Sequence, residues 1–330
     1  MAIPAEAAGH PAPTAPASTA SKKKEIEGGL AFWGGRIVPL AEANVNIATH
    51  ALNYGTGCFE GIRAYWVEEK EQLYLLKLPE HYRRFLKSCA LLRIECPYTV
   101  EELCAWTVRL LREGRVRHDA YVRPLGFKAS RVIGVGLSGL RDEFGIFYAP
   151  LGNYVAMDGL RVCVSPWQRI SDNAVPSRSK TTGSYVNISL AVDQAQRDGY
   201  DEAILLNAQG HVSEASGANI FLVRNGRLIT PPVTEDILEG ITRDAVIELA
   251  QALGIPVEER PVDRTELYVA DEIFLTGTAA QVAPVTSVDG RPVGDGRIGP
   301  ISRRLQEVYL DAVRGRNPAY ASWLTPVYEE

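Results

Sequence analysis

Apolar and polar positions alternate along AFWGGRIVPL on both sides of Gly34-Gly35, a pattern that predicts a hairpin. RAYWVEEKEQLYLLKL repeats it, with two apolar runs flanking a charged turn. The period then changes. In PEHYRRFLKSCALLRIE the apolar residues Tyr82, Phe85, Cys89 and Leu92 fall three or four apart, which places them on one face of a helix. TVEELCAWTVRLLREGR predicts a second helix, with Thr99 as N-cap, Glu102 completing a capping box and Gly114 closing it. AYVRPLGFKAS and EFGIFYAPL read as strands. This mixed order of strands and helices predicts a small α+β domain over 28–151.

The stretch GNYVAMDG, 152–159, reads as a connection to a second, larger domain over 160–330. There RVCVSPW is strand-like and a helix runs through TTGSYVNISLAVDQAQRDG. Two hairpins follow. EAILLNAQGHVSE turns at Asn207-Ala208-Gln209-Gly210, and ANIFLVRNGRLITPP turns at Asn225-Gly226, a pair that tolerates the positive φ of a two-residue turn. A helix over ITRDAVIELAQALG, a strand EIFLTGT and a helix around ISRRLQEVYLDAVRG complete the pattern. Residues 1–27 lack the apolar segment of a secretory signal and the arginines of a transit peptide, and predict a disordered tail.

Composition narrows the function classes. At 330 residues, and roughly 150 per domain, the chain holds two domains' worth of material and needs no disulfide or metal staple. A formal charge of −5 argues against a nucleic-acid binder, and no apolar run approaches the ~18 residues of a membrane span. The five cysteines include no CxxC pair and read as reduced thiols of a cytoplasmic protein. The five histidines show no HxH, HExxH or HxxxH spacing, so no metal is expected.

Gly134-Val135-Gly136-Leu137-Ser138-Gly139 satisfies GxGxxG, but no helix follows to aim amides at a pyrophosphate, and the segment reads as a flexible loop. The lysines say more. Only eight of 35 basic residues are lysine, and after Lys128 the single one is Lys180, in SRSKTTGSY. Where arginine supplies the positive charge, a lone lysine suits what guanidinium cannot do, namely lose its proton and form a Schiff base. An incidental surface lysine is the competing reading at this point. Schiff-base chemistry on amino acids points to pyridoxal phosphate, which needs a phosphate cradle and a carboxylate for its ring nitrogen. Gly240-Ile241-Thr242, opening a helix, and the turn Thr276-Gly277-Thr278-Ala279-Ala280 are candidates for the cradle. Glu214, among small residues between two strands, is the candidate carboxylate, with a solvated strand-end glutamate as the alternative.

HALNYGTGCFEGIRAY, EHYRRF, YVRPL, SKTTGSY, DEAILLNAQGHVSEASGANIFLV, LEGITRDAVIELA and LTGTAAQVAPVTSVDG together resemble the branched-chain amino acid aminotransferases, over about residues 29–325. The resemblance implies an α/β (α+β) two-domain fold of the D-amino acid aminotransferase-like type, fold type IV, with pyridoxal phosphate as cofactor. It implies Lys180 as the Schiff-base lysine and proton shuttle, Glu214 as partner of the ring nitrogen and Tyr185 as partner of the ring hydroxyl. Arg84, rather than adjacent Arg83, matches the phosphate arginine, with Ile241, Thr242 and Thr278 as further phosphate contacts. On the substrate side it implies Tyr54, Phe59, Gly61 and Tyr154 around an apolar pocket, and the turn Thr278-Ala279-Ala280 on the α-carboxylate. Arg123 matches the arginine that accepts the side-chain carboxylate of glutamate. Leu151 departs from the pattern, where bacterial members often carry tryptophan.

The implied reaction moves the amino group of leucine, isoleucine or valine to 2-oxoglutarate, giving glutamate, in a cytoplasmic homodimer or higher homo-oligomer. The rivals are a D-amino acid or (R)-amine transaminase or aminodeoxychorismate lyase of the same fold group, against which Arg123 in YVRPL argues. A nicotinamide dehydrogenase built on the GxGxxG and a non-enzymatic cofactor carrier are the readings from other classes.

Overall fold

A computed structural model of the chain describes residues 25–152 and 156–328. Most of the tail, 1–24, and Tyr154 lie outside the described residues. Both early hairpins form. Leu30–Trp33 pairs with Arg36–Pro39, and Ile62–Val67 with Gln72–Leu76, all antiparallel. Two helices then cover one face of the sheet: α2, Leu78–Leu91, and α3, Val100–Glu113, following the single-turn α1, His50–Tyr54. The capping box at Thr99 and Glu102 is present. Gly114, however, is right-handed, and Arg115 takes the left-handed conformation instead. Glycine is required at 114 for room, because a Cβ there would meet the Tyr148 hydroxyl at 2.3 Å. Ala120–Lys128 and Asp142–Pro150 form the long antiparallel pair at the centre of this sheet.

The second sheet has nine strands in the order Val212–Ala215, Glu202–Leu206, Leu160–Val164, Gln281–Val288, Glu272–Gly277, Asn219–Arg224, Arg227–Thr230, Val257–Glu259, with Arg291–Pro292 beside Gln281–Val288. Helices α4, Tyr185–Arg197, α5, Ile241–Ala252, and α6, Pro300–Val313, belong to this part of the chain. Asn225 and Gly226 both have positive φ, as the hairpin signal requires. The strand Gln281–Val288 is not among the expected elements, and it carries Pro284, which has no N–H for a ladder bond. Its neighbour Leu160–Val164 pairs only from Val285 onward, so the missing Pro284 N–H faces no acceptor on that side.

The chain does not keep to a division at 160. Leu324–Pro326 returns to the first sheet and pairs with Gln72–Leu76, and the Gln72 side chain bonds the backbone of Val327 and Tyr328. A span of 160–330 as one domain therefore misassigns the last residues. A shared core joins the sheets: Tyr65 and Leu76 from the first pack with Phe221 and Phe274 from the second, and with Leu249 of α5 and Tyr309 of α6. That apolar contact holds the two halves in fixed relation, which a site built from both requires.

Candidate active site

Between the sheets lies a cavity of about 300 Å³, within the range of small-molecule sites. Lys180 lines it. Its backbone is pinned on two sides: the Phe59 N–H donates to the Lys180 carbonyl at 3.0 Å, and the Lys180 N–H to the Ser88 hydroxyl at 3.2 Å. The Nζ donates to the Tyr185 hydroxyl at 2.6 Å and sits 5.1 Å from the Phe59 ring centre. Burial disfavours the ammonium, but the oxygens of Tyr185 and Tyr121 and the Glu60 carboxylate outweigh it, and the Lys180 pKa lies above its usual value. Tyr185 takes its place as the first residue of α4, against Phe59 at a ring separation of 4.8 Å.

Glu214 lines another wall and is buried. One oxygen accepts from Arg169 at 2.9 Å, the other from the Asn219 amide at 3.0 Å and the Leu238 N–H at 3.1 Å. Burial raises the Glu214 pKa, and Arg169 and the Leu238 N–H oppose that rise without cancelling it. Asn219 presses so closely that a Cβ at Gly240 would meet its Oδ1 at 1.9 Å, which explains the glycine just before α5. No side chain caps α5, so the amides of its first turn, at Ile241 and Thr242, are open to an anion. Thr278 and Arg84 line the same cavity, and the buried Thr276 hydroxyl there has no hydrogen-bond partner among the described residues. Of the adjacent arginines, Arg83 is exposed and pairs with Glu80, whereas Arg84 turns inward.

Among the substrate-side candidates, Phe59, Gly61, Arg123 and Ala279 line the cavity. Gly61 is there to admit Tyr121, whose hydroxyl would lie 2.0 Å from a Cβ. Arg123 donates to that hydroxyl at 3.0 Å, stacks 4.5 Å over Phe59, and keeps a buried Nε without a partner among the described residues. Leu151, in place of the tryptophan, is also a lining residue. Tyr54 and Ala280 do not line the cavity. Tyr54 faces outward and accepts from the Gly134 N–H at 3.2 Å, while Ala280 is buried in the sheet core. The GxGxxG segment has no helix after it and receives Tyr54 and His50, whose ring bonds the Gly134 carbonyl at 2.8 Å.

Pattern reading missed Arg169, Asn219, Tyr121, Glu60 and Arg63. Arg63 is buried and donates to the Ala279 and Gly152 carbonyls at 3.0 and 2.6 Å, tying the cavity turn to the segment between the sheets. The signal for Glu60 was the acid inside the apolar run CFEGIRAY. Nothing local marks Arg169. Pyridoxal phosphate fits this donor set: an amine beside a phenol, a buried carboxylate, and an uncapped helix start beside a free threonine hydroxyl.

A profile of the amino-transferase class IV family matches residues 57–288. A probable branched-chain-amino-acid aminotransferase of Aquifex aeolicus is 50% identical over 303 residues, 91% of this chain and 97% of that protein. The branched-chain aminotransferase of Thermoproteus uzoniensis with norvaline superposes with a TM-score of 0.88 at 42% identity, covering 91% of this chain and all of that one. The branched-chain amino acid aminotransferase of Thermobaculum terrenum in its PLP-form also superposes with a TM-score of 0.88, at 40% identity over 92% of this chain and 100% of that chain.

Proposed function

The chain belongs to the class IV aminotransferases, and on that footing we propose that it transfers the amino group of leucine, isoleucine or valine to 2-oxoglutarate. The observation that carries this reading is that the Lys180–Tyr185 pair and the Arg169-held Glu214 line one cavity together with the uncapped start of α5. Pyridoxal phosphate, when bound, supplies an aldehyde that condenses with amines and a ring that accepts the electrons of the α-carbon. The chain's own groups do the rest. Glu214 keeps the ring nitrogen protonated, and Tyr185 orients the Lys180 amine. That amine would take the proton from the α-carbon of the amino acid and hold it for return. Arg84, the start of α5 and Thr278 hold the phosphate. A panel of amino donors with 2-oxoglutarate tests the reading: turnover confined to D-amino acids or amines would overturn it.

Arg123 supplies the means to accept two unlike side chains. Stacked on Phe59, it presents an apolar face to leucine and a cation to the γ-carboxylate of glutamate. Arg123→Ala is expected to slow the half-reaction with glutamate about 30-fold or more, the order for losing a buried charge partner, and to affect leucine far less. Single-turnover absorbance with each donor reads this directly. Equal losses would refute dual recognition.

We further assign the surface around α1 to a homodimer. Ile47 and Ile133 are 83% and 91% exposed, and Leu52, Val135 and Val186 add to an apolar area that water disfavours. Tyr54 lies on this surface, and we assign it to the partner's substrate side. Light scattering on the purified chain is expected to give the mass of a dimer or a larger even assembly; a monomer would refute the assignment. The five free cysteines agree with a reducing, cytoplasmic setting. Among the described residues no helix is long and apolar enough to cross a membrane.

A further inference from the structure

Arg84 is clamped along one edge. Its Nε and Nη2 donate to the two oxygens of Glu60 at 2.6 and 2.8 Å, and its Nη1 donates to the Glu239 carbonyl at 2.8 Å. A guanidinium carries five N–H groups in a rigid fork, so two remain. Glu60 is completely buried and is itself fixed: its backbone N–H donates to the Pro124 carbonyl at 3.0 Å, and its Oε2 accepts from His81 Nδ1 at 2.8 Å. Burial pushes the Glu60 carboxyl up, but Arg84 and His81 outweigh burial and hold it far below the usual carboxylate range. Burial pushes the His81 imidazole down. The Glu60 carboxylate pulls the other way without cancelling the effect of burial.

The Arg84–Glu60 pair holds one positive and one negative charge and by itself sums to zero. A bare arginine would attract a phosphate more strongly by charge alone. What Glu60 adds is direction, since it removes the rotational freedom of a long side chain at the point where two N–H groups must meet two oxygens. We infer that Glu60, steadied by His81, is a positioning residue for the cofactor phosphate, acting through Arg84. The inference rests on the assignment of Arg84 to the phosphate in the proposed function.

Comparing pyridoxal phosphate with pyridoxal, which lacks the phosphate, isolates the effect. The ratio of their dissociation constants from the full-length apoprotein reports the phosphate site alone, and a general loss of structure weakens both. Glu60→Gln keeps the shape and removes the charge. It is expected to weaken pyridoxal phosphate about tenfold and leave pyridoxal within about twofold, the order for losing a hydrogen-bonded charge. In an Arg84→Lys background the same substitution is expected to change the ratio by less than about twofold. An unchanged ratio in Glu60→Gln overturns the inference. So does tighter binding of pyridoxal phosphate, the result if Glu60 only subtracts charge from Arg84. His81→Leu removes one donor to Glu60 and leaves the ion pair, so it is expected to shift the ratio about threefold. No shift there also counts against the inference, and this variant serves if Glu60→Gln does not fold. A wild-type chain with no preference for pyridoxal phosphate would instead refute the phosphate role of Arg84, so the two failures are distinct.

Discussion

Lys180→Ala is expected to abolish transamination, with a loss of roughly 10⁴-fold or more, while cofactor still enters and can be dialysed away. On the role proposed for Lys180, two functions vanish together: an amine to condense with the cofactor and a base to move the α-proton. No other side chain can stand in. Arginine is not deprotonated at any working pH, and among the described residues no second lysine lines the cavity. Lys128, next before it in the chain, is buried against Asp142 at 2.9 Å and bonded to the Arg93 carbonyl. Borohydride reduction of the wild-type holoenzyme followed by peptide mapping checks the assignment. Label on a peptide without Lys180 would show that another residue carries the chemistry.

Glu214→Gln is the second large effect, with an expected loss of about 10²–10³-fold at unchanged fold. The amide retains the volume and one acceptor for the Asn219 and Leu238 donors. Its NH₂ group cannot accept from Arg169, so a buried guanidinium loses its counter-charge. More importantly for rate, a neutral amide does not hold the ring nitrogen protonated, and the ring then accepts the α-carbon's electrons poorly. Because burial holds the Glu214 carboxyl above its ordinary pKa, the wild type is expected to lose its ionised form at a higher pH than an exposed glutamate does, with activity falling as pH drops. Activity near wild type in Glu214→Gln, with an unaltered cofactor absorbance spectrum, would remove Glu214 from the mechanism.

The residues behind these two experiments are legible in the sequence to different degrees. Lys180 stands out because lysine is scarce in a chain that uses arginine for charge, and because small residues surround it. Glu214 stands out by its small neighbours, but its pairing does not, because Arg169 reaches it from a loop with no regular period and reads locally like any surface arginine. Glu60 and Arg84 sit on a strand end and a helix, and only the packing of α2 against the first sheet makes them a bidentate pair.

Features that depend on neighbours a few residues apart can be read along the chain. The capping box of α3, the positive-φ turn at Asn225-Gly226, the helical face of Tyr82, Phe85 and Cys89, and the uncapped start of α5 are all set by local backbone chemistry. Features that depend on surfaces meeting arise only when the elements pack. Packing turned Arg84 inward and Arg83 outward, laid Tyr121 over Gly61, set Tyr54 facing away from the cavity, and brought Leu324–Pro326 back to the first sheet. The physical reason is the same throughout. A charge or ring buried between elements is stabilised only by partners from another element, and no period along one strand or helix records which partner that is.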